Sequence, residues 1–185
     1  MTFLALAVGG CAADLAAKQW IWSKSQLFDS RGMPGCDQWW LWTKVCGFET
    51  SLNQGALFGM GQGMALVFAG LSVLAAAGIV YWVFWAGAGR NWLLTIALGA
   101  ITAGILGNLY DRLGLHGLRW WEGHPQAGQP VYAVRDFILV MIGPYHWPNF
   151  NIADSLLVGG ACLLVWHSSF HSHKETPPQP EPETG

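Results

Sequence analysis

The sequence predicts an all-α integral membrane protein, four transmembrane helices with a small β-rich subdomain between helices 1 and 2. Three observations carry that prediction. Hydrophobic residues make up 52% of the 185, charged residues only 11%, and 12 are tryptophan, a composition outside the range of ordinary soluble domains. Apolar runs of about twenty residues, the length that crosses a bilayer as a helix, cover 3–21, 63–86, 92–110 and 152–170. Between the first two runs the chain turns polar and rich in Gly, Pro and Trp, and Trp39-Trp40-Leu41-Trp42 followed by Thr43, Val45 and Phe48 favours short strands on the membrane surface.

The first run lacks a basic n-region and carries Asp14 and Lys18, so it reads as a span rather than a cleaved leader. Asp14 precedes Lys18 by four, the favoured order for an ion pair on one helical face. The pair either neutralises itself at the membrane edge or stands beside a catalytic site. Leu6 to Cys11 has the shape of a bacterial lipobox, a reading that three further spans oppose. The second run is uncharged, with the small residues Gly70, Ala75, Ala76, Ala77 and Gly78 of a packing face, and is scaffold. Gly87 to Asn91 is a tight turn, which makes runs two and three an antiparallel hairpin.

The third run ends with Asn108, Asp111 and Arg112 at i, i+3 and i+4, an amide, an acid and a guanidinium on one face at the membrane boundary. A snorkelling Arg paired with its neighbouring Asp accounts for two of these but not for Asn108, one turn deeper. From Leu113 to Ala133 the chain makes a long excursion whose glycines and prolines exclude another span; its Trp120-Trp121 pair rests on the interface or covers the site. Residues 1–170 form one domain with loops 22–62 and 111–151, and the Pro- and Glu-rich tail 171–185 is expected to be disordered.

The chemistry gathers where Val134-Arg135-Asp136-Phe137 and Asn149-Phe150-Asn151-Ile152-Ala153-Asp154 precede and enter the fourth run. An ionised Asp at a membrane is costly unless it faces a partner or a wet cavity. Two that converge cannot both ionise freely and share a proton, the equipment of an aspartyl hydrolase. Asn108 and Asn151 each stand three residues before an Asp, which puts amide and acid on one face of any helix that includes both. Asn53 and Gly55, just before the second run, supply amide hydrogen bonds and close backbone approach, although Asn-x-Gly is also an ordinary turn.

Other classes are excluded or demoted. A net charge of −2 without a Lys/Arg cluster argues against nucleic acid. Four cysteines without Cys-x-x-Cys or Cys/His spacing argue against a zinc site and a dithiol centre; Cys36 and Cys46 share a polar loop and could pair if it is extracytoplasmic. His116, His124 and His146 are scattered and read as surface residues, so neither a metal nor a cofactor is expected. The competing class is a small four-helix transporter or assembly subunit whose acids relay protons or bind a cation.

Taken in order, Asp14 with Lys18, Asn53-x-Gly55-Ala56-x-Phe58, Gly107-Asn108-x-x-Asp111-Arg112, Val134-x-Asp136-Phe137 and Phe150-Asn151-x-Ala153-Asp154 resemble the sequence blocks of the bacterial lipoprotein signal peptidases (signal peptidase II). The resemblance implies a multi-pass aspartic endopeptidase of the bacterial plasma (inner) membrane; separately from the resemblance, a monomer is expected. It would remove the signal peptide from diacylglyceryl-modified prolipoproteins, cutting just before the lipidated cysteine, with membrane lipids as its other partners. By the same resemblance Asp136 and Asp154 are the catalytic pair, and Asp14, Lys18, Asn53, Gly55, Asn108, Asp111, Arg112 and Asn151 bind substrate or hold the pair. It also implies cytoplasmic termini, with the active site and the β-rich subdomain at the extracytoplasmic face. The segment from Arg112 to Asp136 is longer than the family pattern. Lys24, Arg31, Lys44, Arg112, Arg119 and Arg135 would then lie outside against Arg90 and Lys174 inside, contrary to the positive-inside tendency, so the orientation rests on the resemblance alone.

Overall fold

The computed structural model describes residues 1–23, 38–55, 61 and 63–171; the expectations for Cys36, for Ala56 and Phe58, and for the tail beyond 171 fall outside them. Each apolar run holds one long helix: α1 (Thr2–Ser23), α2 (Ala65–Phe84), α3 (Trp92–Arg112) and α4 (Ile152–His171). Among the described residues, α2, α3 and α4 are long and apolar enough to cross a membrane. α1 is not among these three, because Asp14, Lys18 and Gln19 dilute its apolar character. α3 is the central helix: half of its apolar window is buried against the others, compared with 11% for α2 and α4.

Small residues on α3 permit that centrality. A Cβ added to Gly104 would collide with the Ala153 carbonyl and the Leu157 side chain of α4, and one added to Gly107 would stand 2.5 Å from Asp14 Oδ2 of α1. The α2–α3 connection needs Gly87 at φ +86°, a left-handed conformation that favours glycine. A 3₁₀ turn over Ala88–Arg90 follows, and Asn91 then caps α3, its Oδ1 accepting from the backbone N–H groups of Leu93 at 2.9 Å and Leu94 at 3.2 Å.

The expectation of an all-α protein whose strands all lie between helices 1 and 2 is corrected. A four-stranded antiparallel sheet runs in the order β1 (Trp39–Trp42), β2 (Cys46–Asn53), β3 (Val134–Ile142), β4 (Tyr145–Phe150), so half of it comes from 111–151, expected as loop. β3 escaped detection because its first four residues are all buried, which removes the alternation by which a one-sided strand is recognised. The register sets Ser51 opposite Asp136, Asn53 opposite Val134, and Phe150 opposite Ile138. Irregularities interrupt the pairing between Phe48 and Ser51 and between Ile138 and Val140, both on the C-terminal side of Asp136 along β3. Ile21 and Trp22 at the end of α1 pack with Phe137, Phe48 and Leu52, fastening sheet to bundle.

Candidate active site

The site is built outward from Lys18, whose side chain is fully buried. Its ammonium meets Asp14 Oδ2 at 2.8 Å and Asp111 Oδ2 at 3.1 Å and donates to Asn108 Oδ1 at 3.1 Å, three partners for three donors. A buried cation so fully paired escapes the penalty of an unpaired charge and fixes α1 against α3. Asp14 in turn accepts from the backbone N–H of Ala153 at 2.9 Å, one of the N-terminal amides of α4 that no helix bond can satisfy. The pairing expected of Asp14 and Lys18 is present, and both sit at 0% exposure inside the bundle beside the site.

Asn108 passes the order on. Its Oδ1 also accepts from Asn151 Nδ2 at 3.1 Å, and its Nδ2 donates to Asp154 Oδ1 at 2.8 Å. Asn151 does not share a helix with Asp154 but caps it: Asn151 Oδ1 accepts from the Asp154 N–H at 2.9 Å while Asp154 Oδ2 accepts from the Asn151 N–H at 3.2 Å, a reciprocal capping box. The same Asn151 amide donates to Asp136 Oδ1 at 2.6 Å. One buried asparagine therefore touches both carboxylates, and a second, Asn108, touches one of them and the first asparagine.

Asp136 is almost wholly buried. That burial first, and then the negative charge of Asp154, push its carboxyl up to about 7, while hydrogen bonds from Asn151 and Asn53 pull the other way. Both carboxylates line a cavity of about 340 Å³ together with Asn53, Asn108, Arg112 and Trp147. Gly55 is buried beside it; its N–H donates to Asn53 Oδ1 at 3.0 Å and its carbonyl accepts from Arg112 Nη2 at 3.5 Å. Arg112 also lies 5.7 Å from the Phe68 ring centroid.

Asn108, Asp111 and Arg112 divide their contacts, and Asn108 takes part in both sets. Asn108 and Arg112 look into the cavity, whereas Asp111 turns back to Lys18 and to Arg135, which sequence reasoning passed over. Arg135 donates to Asp111 Oδ1 through Nε at 3.1 Å and Nη2 at 2.9 Å, and its backbone N–H reaches Oδ2 at 2.9 Å. The signal available was an arginine directly before the candidate acid in a strand whose neighbours are apolar. Ser155 and Val158, a further wall of the cavity, follow Asp154 along α4 and were also missed. The three histidines stand apart: His116 is half-buried and accepts from the Leu118 N–H at 3.0 Å, His124 stacks on Trp120, and His146 meets Glu49 at 2.9 Å. Among the described residues no group of three or more His, Cys, Asp or Glu side chains is arranged to hold a metal ion.

Helices of membrane-crossing character, a sheet braced on their end and two carboxyls facing one cavity define a class: a membrane-associated protein with acid–base equipment. The chain belongs to the signal peptidase II family, whose model, described as Signal peptidase (SPase) II, matches residues 6–170. It is 50% identical over 169 residues to the lipoprotein signal peptidase of Rhodopirellula baltica, covering 90% of this chain and 70% of that protein. It is 33% identical over 175 residues to that of Bacillus velezensis, covering 95% and 98%. A solved structure described as a bacterial membrane enzyme superposes with a TM-score of 0.71 at 25% identity, covering 95% of this chain and 94% of that one. Nothing among these relatives supports the transporter alternative.

Proposed function

We propose that this protein is a lipoprotein signal peptidase of the aspartic type, which hydrolyses the peptide bond preceding the diacylglyceryl-modified cysteine of a prolipoprotein. The observation that carries the reading is the joint attachment of Asp136 and Asp154 to Asn151 at one cavity. In the proposed mechanism Asp154 is the base. It lies in the first turn of α4, where the helix dipole favours an anion, and accepts from Asn108 and from the Asn151 N–H. Asp136, desolvated and raised to about 7, holds the proton. Asp154 draws a proton from a water between the two carboxyls, the hydroxide so formed adds to the scissile carbonyl, and Asp136 donates its proton to the carbonyl oxygen. The adduct then collapses, the C–N bond breaking as Asp154 passes its proton to the leaving nitrogen and Asp136 recovers a proton from the hydroxyl as the carbonyl re-forms.

Arg112 and Asn53, both lining the cavity, would hold the substrate backbone across the pair. The acyl chains of the substrate keep its cysteine in the membrane, so lateral diffusion delivers the bond to an interfacial site. In this reading α1 is a fourth span, since its two charges face inward and the side it presents outward carries Leu4 and Val8. The site would lie at the extracytoplasmic face of a bacterial plasma membrane, with both termini cytoplasmic, and a single copy of the chain supplies every group named. Purified protein in lipid vesicles, given a lipidated prolipoprotein, should release the signal peptide. Asp136→Asn and Asp154→Asn should each lower the rate by at least about a thousandfold while leaving the protein folded; near-native cleavage by either variant would remove the mechanism.

A further inference from the structure

A second cavity, of about 300 Å³, lies beside the first. Asn53 lines the first cavity and its chain neighbour Gln54 the second, and Val134 lines the first while Tyr132, two residues earlier, lines the second. The two cavities therefore adjoin where the chain leaves β2 and where it enters β3.

The far wall of this second cavity belongs to the excursion 113–133, which the catalytic site does not use. That segment is an ordered hairpin-like lobe. Trp120 N–H donates to Gln129 O at 3.0 Å, Gly128 N–H to Trp120 O at 2.9 Å and Val131 N–H to Leu118 O at 3.0 Å, and Arg119 Nη1 braces Gly128 O at 2.7 Å. Beneath it Trp120, Val131 and Ala133 pack against Leu52 of β2, and His124 stacks on Trp120 with centroids 4.1 Å apart. The lobe is thus seated on the strand that carries Asn53 into the catalytic cavity.

The lining is distinctive. Gln54, Gln126 and Gln129 bring three side-chain amides to the cavity, Trp120 and Tyr132 bring rings, and among the described residues no charged side chain lines it. An amide both donates and accepts, which matches the alternating N–H and C=O of an extended peptide, and the described lining has no charge to complement that of a phosphate or a cation. We infer that this cavity is a subsite for the polypeptide segment that immediately follows the lipidated cysteine of the substrate. The inference rests on the proposed function and deepens it. With the acyl chains held in the membrane and the scissile bond at the carboxyl pair, the segment after the cysteine must leave the first cavity. The adjoining second cavity lies along one route out.

Two lipidated substrates test it, one ending at the residue after the modified cysteine and one continuing through a long uncharged segment. The natural protein should show a lower KM for the longer substrate. The double variant Gln126→Ala, Gln129→Ala, altered at two exposed positions, should shrink the KM ratio between the substrates about tenfold, as the loss of two neutral hydrogen bonds implies. Tyr132→Ala should shrink the ratio in the same direction. An unchanged ratio overturns the inference, and so does a change that follows the lipid composition of the vesicles instead of substrate length, since that would make the cavity a lipid site. Asp136→Asn, which should lose both substrates alike, tests the catalytic reading separately: an inactive Asp136→Asn beside an unchanged ratio refutes the subsite and spares the mechanism.

Discussion

Arg135 and Asp136 are consecutive in β3, yet the first is committed to a buried ion pair and the second is kept short of charge by its burial. Removing one partner of a buried pair strands the other, at a cost of about 3–5 kcal/mol. Arg135→Met should therefore lower the thermal midpoint in detergent markedly, because Asp111 would be left with Lys18 alone among the cations that now hold it. Arg135→Lys should recover only part, since an ammonium cannot reproduce the two-point contact on Asp111 Oδ1. Asp136 makes a pH prediction. Its folded carboxyl holds a proton up to about 7 while an unfolded one has already lost it, so folded-state stability falls as pH rises through that window and the loss is complete above it. Asp136→Asn, which does not titrate there, should gain in midpoint over the natural protein between pH 4 and 8. Activity should follow the same proton, with kcat/KM declining above about pH 7 as Asp136 ionises; a profile flat to pH 9 would contradict Asp136 as the proton donor. The sequence disclosed part of this. Asn151 and Asp154 were legible as an amide three residues before an acid, but their reciprocal cap was not, because the start of α4 was not fixed between them. The partner of Asp111 was not, because strand register brings Arg135 to it from 24 residues away while the adjacent Arg112 turns to the cavity.

At the scale of elements, α3 and α4 set the distance between Asn108 and Asp154, and glycine sets the distance between the helices. An added Cβ at Gly104 would collide with the Ala153 carbonyl, one residue from Asp154. Gly104→Ala should push the first turn of α4 outward, stretch the 2.8 Å bond from Asn108 and cost more in kcat than in stability. The check is a single-turnover rate beside a thermal midpoint; a variant equally impaired in both would point to simple unfolding. Helices were readable in the sequence because long apolar runs have few alternatives. β3 and β4 were harder, although Gly143-Pro144 marks their turn, because β3 is buried where it meets the bundle and so lacks a polar face.

For the whole molecule the sequence left a conflict, six cations on the side proposed to be outside against two inside. The fold dissolves much of it: Arg135 is spent on Asp111, Arg112 faces the cavity and Arg119 binds the Gly128 carbonyl, so these three are fixed by the protein. A topology bias belongs to loop cations near the ends of spans, and those engaged in a folded site have other duties. The proposed orientation then makes a direct prediction. The β3–β4 turn at Gly143 and the α2–α3 turn at Gly87 lie at opposite ends of the bundle, each open enough that an added Cβ meets nothing within 4 Å. Both glycines have positive φ, so a side chain there strains the turn modestly and equally in the two variants. In a background with the native cysteines replaced, Gly143→Cys should react with a membrane-impermeant maleimide in intact spheroplasts, and Gly87→Cys only after the membrane is opened. Reaction of Gly87→Cys alone in intact cells would turn the protein over and put the carboxyl pair at the cytoplasmic face, where the proposed substrate would have to be presented from the other side.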